Sequence, residues 1–190
     1  MNECCLTGAE KLVTELDRAV QSGTVQDIAC SVKDCLSSLI RAGEISLPEE
    51  ACRPRSDCYA RRLVHRSSDL GYEVIAMIWG PGQQTPLHDH AGIWCVEGVF
   101  QGEIEVRQYD LVESDGDLFR FKPCDVSHAH LGESGSLIPP YEYHTIANCL
   151  PGQTSITIHV YGGGMERCHT FIPLENGWFR RVQKQLQYHN

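Results

Sequence analysis

The chain has 190 residues, the size of one packed domain, and a hydrophobic fraction of 42%, which is ordinary for a globular protein. Its formal net charge of −9 argues against nucleic acid or an anionic membrane as a partner, since either would be repelled. The opening "MNECCLTGAEKLVTELD" lacks a basic stretch followed by an apolar run, and no segment is apolar for long enough to span a bilayer. The expected location is therefore the cytoplasm.

Residues 1–45 read as a helical extension. Thr7-Gly-Ala-Glu10 resembles a capping box, and Leu12, Val13, Leu16 and Val20 then mark one apolar face before Gly23. In the second helix Val25, Ile28, Ala29, Val32, Leu36, Leu39 and Ile40 recur at three- and four-residue spacing, up to Gly43. Pro48 and Pro54 bound a connecting loop. From about residue 57 the pattern changes to short β-rich runs, among them "YEVIAMIW", "IWCVEGVF", "EIEVRQYDL" and "TSITIHVY", separated by turn residues. No helical pattern alternates with them, so a mainly β sandwich or barrel is expected and a parallel sheet is not. The segment "KPCDVSHAHLGESG" reads as a loop, and "FRRVQKQLQYHN" as a strand or a frayed end. The ten cysteines include no CxxC pair. In a cytoplasmic setting most read as small apolar residues rather than disulfide partners.

Chemistry concentrates in "PLHDHAGIWCVEGVFQG". Residues two apart in an extended strand share a face, so His88 and His90 can chelate one ion. A later strand-like segment, "PPYEYHTIAN", supplies His144 as the third ligand. His128 and His130 form a rival pair, disfavoured by their loop-like surroundings. In "TSITIHVYGGG", Ile156, Ile158 and Val160 alternate with Thr157, His159 and Tyr161. One face therefore carries a hydroxyl, an imidazole and a phenol in a row, either as a functional set or as a solvated polar side.

Gly82-x5-His88-x-His90-x4-Cys95-x6-Gly102 resembles the first cupin motif, with Cys95 where a glutamate is usual. Pro139-x-Tyr141-x2-His144-x3-Asn148 resembles the second, with tyrosine replacing its glycine. Cysteine in place of that glutamate resembles the cysteine dioxygenase family, and the resemblance covers roughly residues 57–172. It implies a cupin, or double-stranded β-helix, barrel with N-terminal helices, in a single domain over 1–190. It also implies a non-heme Fe(II) site of His88, His90 and His144. Three imidazoles without an anionic ligand leave three octahedral positions for substrate and O2. In this resemblance Cys95 lies near the metal but unbound, and can form a thioether cross-link with Tyr161.

Further residues carry the likeness. Thr157-x-His159-x-Tyr161 resembles the family's Ser-x-His-x-Tyr, with threonine able to make the same hydrogen bond. "CYARRLVHR" resembles Tyr-x-Arg-x-Leu-Val, which implies Tyr59 and Arg61 in the substrate pocket, the arginine gripping a carboxylate. Trp79, Cys168 and His169 match positions near that pocket. Gly162-Gly163-Gly164 departs from the Pro-Pro turn of the family's animal members. The implied reaction is oxidation of L-cysteine by O2 to cysteine sulfinic acid, with a small thiol and O2 as the partners and the oligomeric state left open. The alternatives are another thiol acid, such as 3-mercaptopropionate or mercaptosuccinate, and a metal-binding cupin that is not a dioxygenase.

Overall fold

The computed structural model describes residues 6–189. Helix α1 spans Ala9–Ala19 and helix α2 spans Val25–Arg41. The expected capping box at Thr7 does not form, because Gly8 is the N-cap and makes no side-chain cap. Thr7 instead pairs its backbone with Ser46. Gly8 sits at φ 80°, where a Cβ would collide with the Glu44 carbonyl. The capping box occurs on α2: the Thr24 hydroxyl accepts from Asp27 N, and the Asp27 carboxylate accepts from Thr24 N.

Ten strands follow: β1 (Ala60–Ser67), β2 (Tyr72–Trp79), β3 (Cys95–Gln101), β4 (Glu103–Asp115), β5 (Leu118–His130), β6 (Ser134–Leu137), β7 (His144–Ala147), β8 (Ser155–Tyr161), β9 (Arg167–Pro173) and β10 (Trp178–Gln185). They form two five-stranded antiparallel sheets, ordered β1-β2-β8-β3-β6 and β7-β4-β5-β10-β9. This is a mainly β, cupin-type double-stranded β-helix with helices at its N-terminal end.

The first sheet is buried on both faces, which explains the unbroken apolar run of β2. Val74, Ala76, Ile78, Val96, Ile156 and Ile158 face outward under Leu12, Leu16, Val32, Leu36 and Ile40 of the helices. Ile75, Met77, Trp79, Cys95 and Tyr161 face inward with Ile104 and Ile146 of the second sheet. The polar side of β8 is thus the barrel interior: Thr157, His159 and Tyr161 are all buried.

Two segments differ from expectation or resolve it. Residues 122–130, expected as loop, complete β5, whose register runs from Asp115↔Leu118 to Glu103↔His130. The strand is long because β4 offers thirteen residues of partner, a tertiary effect that overrides the weak local pattern. The C-terminal run is strand over β10, paired with β9 from Phe179 to Gln185. Among the described residues all eight cysteines are free, and no helix is long and apolar enough to cross a membrane.

Candidate metal centre

The segment 84–89 runs between the two edges of the second sheet. Thr85 N donates to Ile146 O and His88 exchanges backbone bonds with His144, both on β7; on the other side Phe171 N donates to Leu87 O and Asp89 N to His169 O, both on β9. His88 is thereby placed opposite His144 and Thr170. The metal-binding segment is itself the piece that joins the edges.

The donor atoms of His88, His90 and His144 lie within 4.8 Å of one another, and His90 and His144 are fully buried. The His88 Nδ1–H donates to the Pro86 carbonyl at 3.1 Å, and the His144 Nδ1–H to the Glu142 carbonyl at 2.8 Å. These bonds fix the tautomers and leave both Nε2 lone pairs free. Both ring nitrogens of His90 and the Nε2 of His144 are buried without a hydrogen-bond partner. Orphaned buried polar atoms cost about 1–3 kcal/mol each, and a metal held by one His90 nitrogen and by His144 Nε2 would relieve two of them. Burial, reinforced by His144, pushes His88 down to about 3, and burial likewise holds His90 well below its ordinary value. Neutral imidazole is the metal-binding form. The residues fit a divalent transition metal.

On β3 the inward positions are Cys95, Glu97 and Val99, opposite Tyr161, His159 and Thr157 of β8. Burial and then the charge of Glu97 push the Cys95 thiol well above its usual value, against a hydrogen bond with Tyr161. Its sulfur is 4.0 Å from His159 Nδ1. A relay runs through the barrel: the Trp79 indole N–H donates to the Thr157 hydroxyl at 2.9 Å, and Thr157 donates to His159 Nε2 at 2.7 Å. Glu97 Oε1 beside Nδ1 can only accept, so the His159 proton belongs on Nδ1 and Nε2 accepts from Thr157. That N–H faces the Tyr161 hydroxyl at 3.3 Å and Glu97 Oε1 at 3.4 Å.

A pocket of about 20 Å³ opens onto this face, lined by Tyr59, Arg61, Trp79, His88, Tyr161 and Cys168 among others. Tyr59 stacks on Trp79 at 4.5 Å. Arg61 is buried, with Nη2 donating to the Met165 carbonyl, its guanidinium 5.2 Å over the Tyr188 ring, and Nε and Nη1 unpartnered. Arg62, by contrast, ties the Ala51, Arg53 and His189 carbonyls together.

The structure brings Tyr59, Arg61, Trp79, His88, His159, Tyr161 and Cys168 to one pocket, with His90, His144, Cys95 and Thr157 packed behind it. It does not bring His169: that ring turns to Asp89, its Nδ1 2.8 Å from the carboxylate, and is absent from the pocket lining. His128 and His130 are also elsewhere, half-exposed on β5 beside Glu103. Gly162 needs to be glycine, because a Cβ there would run into the Trp94 indole.

Two residues absent from the sequence reading matter here. Asp89, between the two metal-segment histidines, accepts from the His169 backbone N–H at 2.8 Å and pins β9 to that segment. Glu97 sets an anion beside the three histidines: its Oε1 is 3.3 Å from His144 Nε2. Burial pushes its carboxyl up, but His159 and His144 outweigh this and hold it well below the usual range. The signal was present, since Glu97 is two residues past Cys95 and so shares its face.

The family model for cysteine dioxygenase type I matches residues 54–173. Cysteine dioxygenase type 1 of Homo sapiens is 22% identical over 121 residues, covering 60% of this chain and 55% of that protein. The Danio rerio enzyme is 21% identical over 113 residues, with the same coverage. The chain thus spans about half the length of the curated relatives it matches. Solved structures of similar fold include a Klebsiella pneumoniae protein with a double-stranded β-helix domain, at 22% identity and TM-score 0.48, covering 61% of this chain and 81% of that one. Another is an RmlC-like cupin from Desulfovibrio desulfuricans, at 21% identity and TM-score 0.43, covering 60% and 91%. With a family model matched over more than half its length, and with the three-histidine cluster inside that match, the chain belongs to the cysteine dioxygenase type I family.

Proposed function

We propose that this chain is a non-heme Fe(II) thiol dioxygenase that oxidises L-cysteine with O2 to cysteine sulfinic acid. The carrying observation is the pairing of two unmet demands across one pocket. His88, His90 and His144 present free lone pairs, and Arg61 presents two unpartnered N–H groups. The first asks for a metal and the second for a carboxylate, and a small thiol acid joins them. Fe(II) held by the three imidazoles would acidify a thiol and supply the redox chemistry that O2 needs.

The protein's own part is binding and orientation. Arg61 holds the substrate carboxylate through its unpartnered guanidinium N–H groups, and Tyr59 and Trp79 form an aromatic wall. Thr157, His159 and Tyr161 hold a phenol over the reacting face. Both oxygen atoms pass to sulfur, R–SH + O2 → R–SO2H, so no external reductant is required. Cys95 stands directly across from Tyr161, and a thioether between them, formed with loss of two hydrogens to O2, would lock the phenol. The pocket of about 20 Å³ has room for one water, so a thiol acid enters only as lining side chains give way.

Lys184 favours a second reading. It lines the same pocket as Arg61, which gives two cations for a thiol with two carboxylates, such as mercaptosuccinate. Oxygen uptake by Fe(II)-loaded protein with a thiol panel separates the readings. The proposal expects thiol-dependent uptake with the highest kcat/KM for L-cysteine. A higher value for mercaptosuccinate selects the second reading, and no thiol-dependent uptake with any member rejects both.

A further inference from the structure

We propose that Glu97 is a fourth donor to the metal held by His88, His90 and His144. The inference rests on the metal-centre reading above and adds a ligand to it.

The first argument is electrostatic. The His144 proton is on Nδ1, committed to the Glu142 carbonyl. Its Nε2 lone pair therefore faces a carboxylate oxygen at 3.3 Å. Two electron-rich atoms at that distance, inside a protein, repel each other unless a proton or a metal ion lies between them. Neither hydrogen-bond geometry nor any other partner satisfies the Nε2.

The second argument is geometric. Two ligands about 2.1 Å from one ion at a right angle are about 3.0 Å apart; the 3.3 Å separation of Glu97 Oε1 and His144 Nε2 suits adjacent vertices. His90, Cys95 and Glu97 also bring donor atoms within 4.8 Å of one another, so His90 belongs both to that set and to the histidine triad.

The third argument is charge. The Glu97 side chain is only 10% exposed and its ion-pair partners are imidazoles, with no lysine or arginine among them. A buried carboxylate without a cation is costly, and a divalent ion would supply one. Glu97 is, moreover, the one residue common to the metal pocket and to a second cavity of about 940 Å³ on the far side, between α2 and the β4–β5 pair. Its side chain is turned to the histidines. The coordination shell becomes three imidazoles and a carboxylate, which leaves two octahedral positions for thiol and O2.

Metal affinity measured anaerobically by chelator competition, with Fe(II) and with Co(II), tests this without any turnover. Glu97→Gln is expected to weaken both metals at least tenfold. His159→Ala, which removes the other partner of Glu97, is expected to stay within threefold of wild type. Unchanged or tighter binding in Glu97→Gln overturns the proposal, because a carboxylate that merely balanced a protonated His144 would compete with metal. Equal losses in both variants also overturn it, since Glu97 would then act through His159. A wild-type protein that binds neither metal sinks the metal centre itself, a separate failure. Circular dichroism on each variant confirms that it is folded.

Discussion

Arg61 and Arg62 are adjacent in sequence and opposite in use. Arg62 spends its donors on carbonyls that tie the 51–53 turn and the C-terminal residues to β1, while Arg61 keeps Nε and Nη1 in reserve inside the barrel. Charge-assisted hydrogen bonds are worth about 1.5–3 kcal/mol, so Arg61→Gln should raise KM for L-cysteine by about 10- to 100-fold. Turnover of cysteamine, which lacks the carboxylate, should change little; an equal loss on both thiols would show that Arg61 does not bind the carboxylate. At this scale the sequence was legible wherever a motif marked the residue. Glu97 belongs to no motif, although the alternation that aligns Thr157, His159 and Tyr161 applies equally on β3 and puts Glu97 on the face of Cys95. The family resemblance puts His169 near the pocket together with Cys168, and the structure keeps only Cys168 there. Alternation along β9 separates the two side chains, and Asp89 captures the imidazole.

The elements were read from periodicity, and periodicity succeeds where one physical cause dominates. α2 shows its apolar stripe because one face covers the sheet, and β2 shows none because both of its faces are covered. β5 was misread since its last residues are polar and exposed, and only pairing with β4 keeps them extended. Thr7-x-x-Glu10 fits the capping pattern, yet the chain uses Thr7 as a bridge to Ser46 instead. The packing of α2 on the outer face gives a separable prediction. Leu36 is fully buried, and Gly98 on β3 approaches it so closely that an added Cβ would lie 2.8 Å from a Leu36 methyl. Leu36→Ala should cost about 2–5 kcal/mol in denaturant unfolding. Metal affinity of the folded variant should be unchanged, because the site lies on the other side of the sheet. A parallel loss of metal would mean that the helix positions the histidines.

At the scale of the whole molecule, closure and chemistry coincide. The 84–89 segment joins β7 to β9, so tying the two edges of the second sheet sets His88 against His144. The first sheet contributes the complementary half: Arg61 from β1, Trp79 from β2, Cys95 and Glu97 from β3, and the Thr157–His159–Tyr161 row from β8. Neither sheet alone brings the histidine cluster and the Arg61 guanidinium to one pocket, which is why no short stretch of sequence could reveal the site without a family resemblance to join its parts. The central claim is that this junction inserts both atoms of O2 into the sulfur of a small thiol acid. Mass spectrometry of the product formed from L-cysteine under 18O2 by the Fe(II)-loaded protein tests it most directly. The account predicts a sulfinic acid carrying two heavy oxygens per sulfur. A product with one or none, or oxygen consumed only to yield cystine and peroxide, would contradict it.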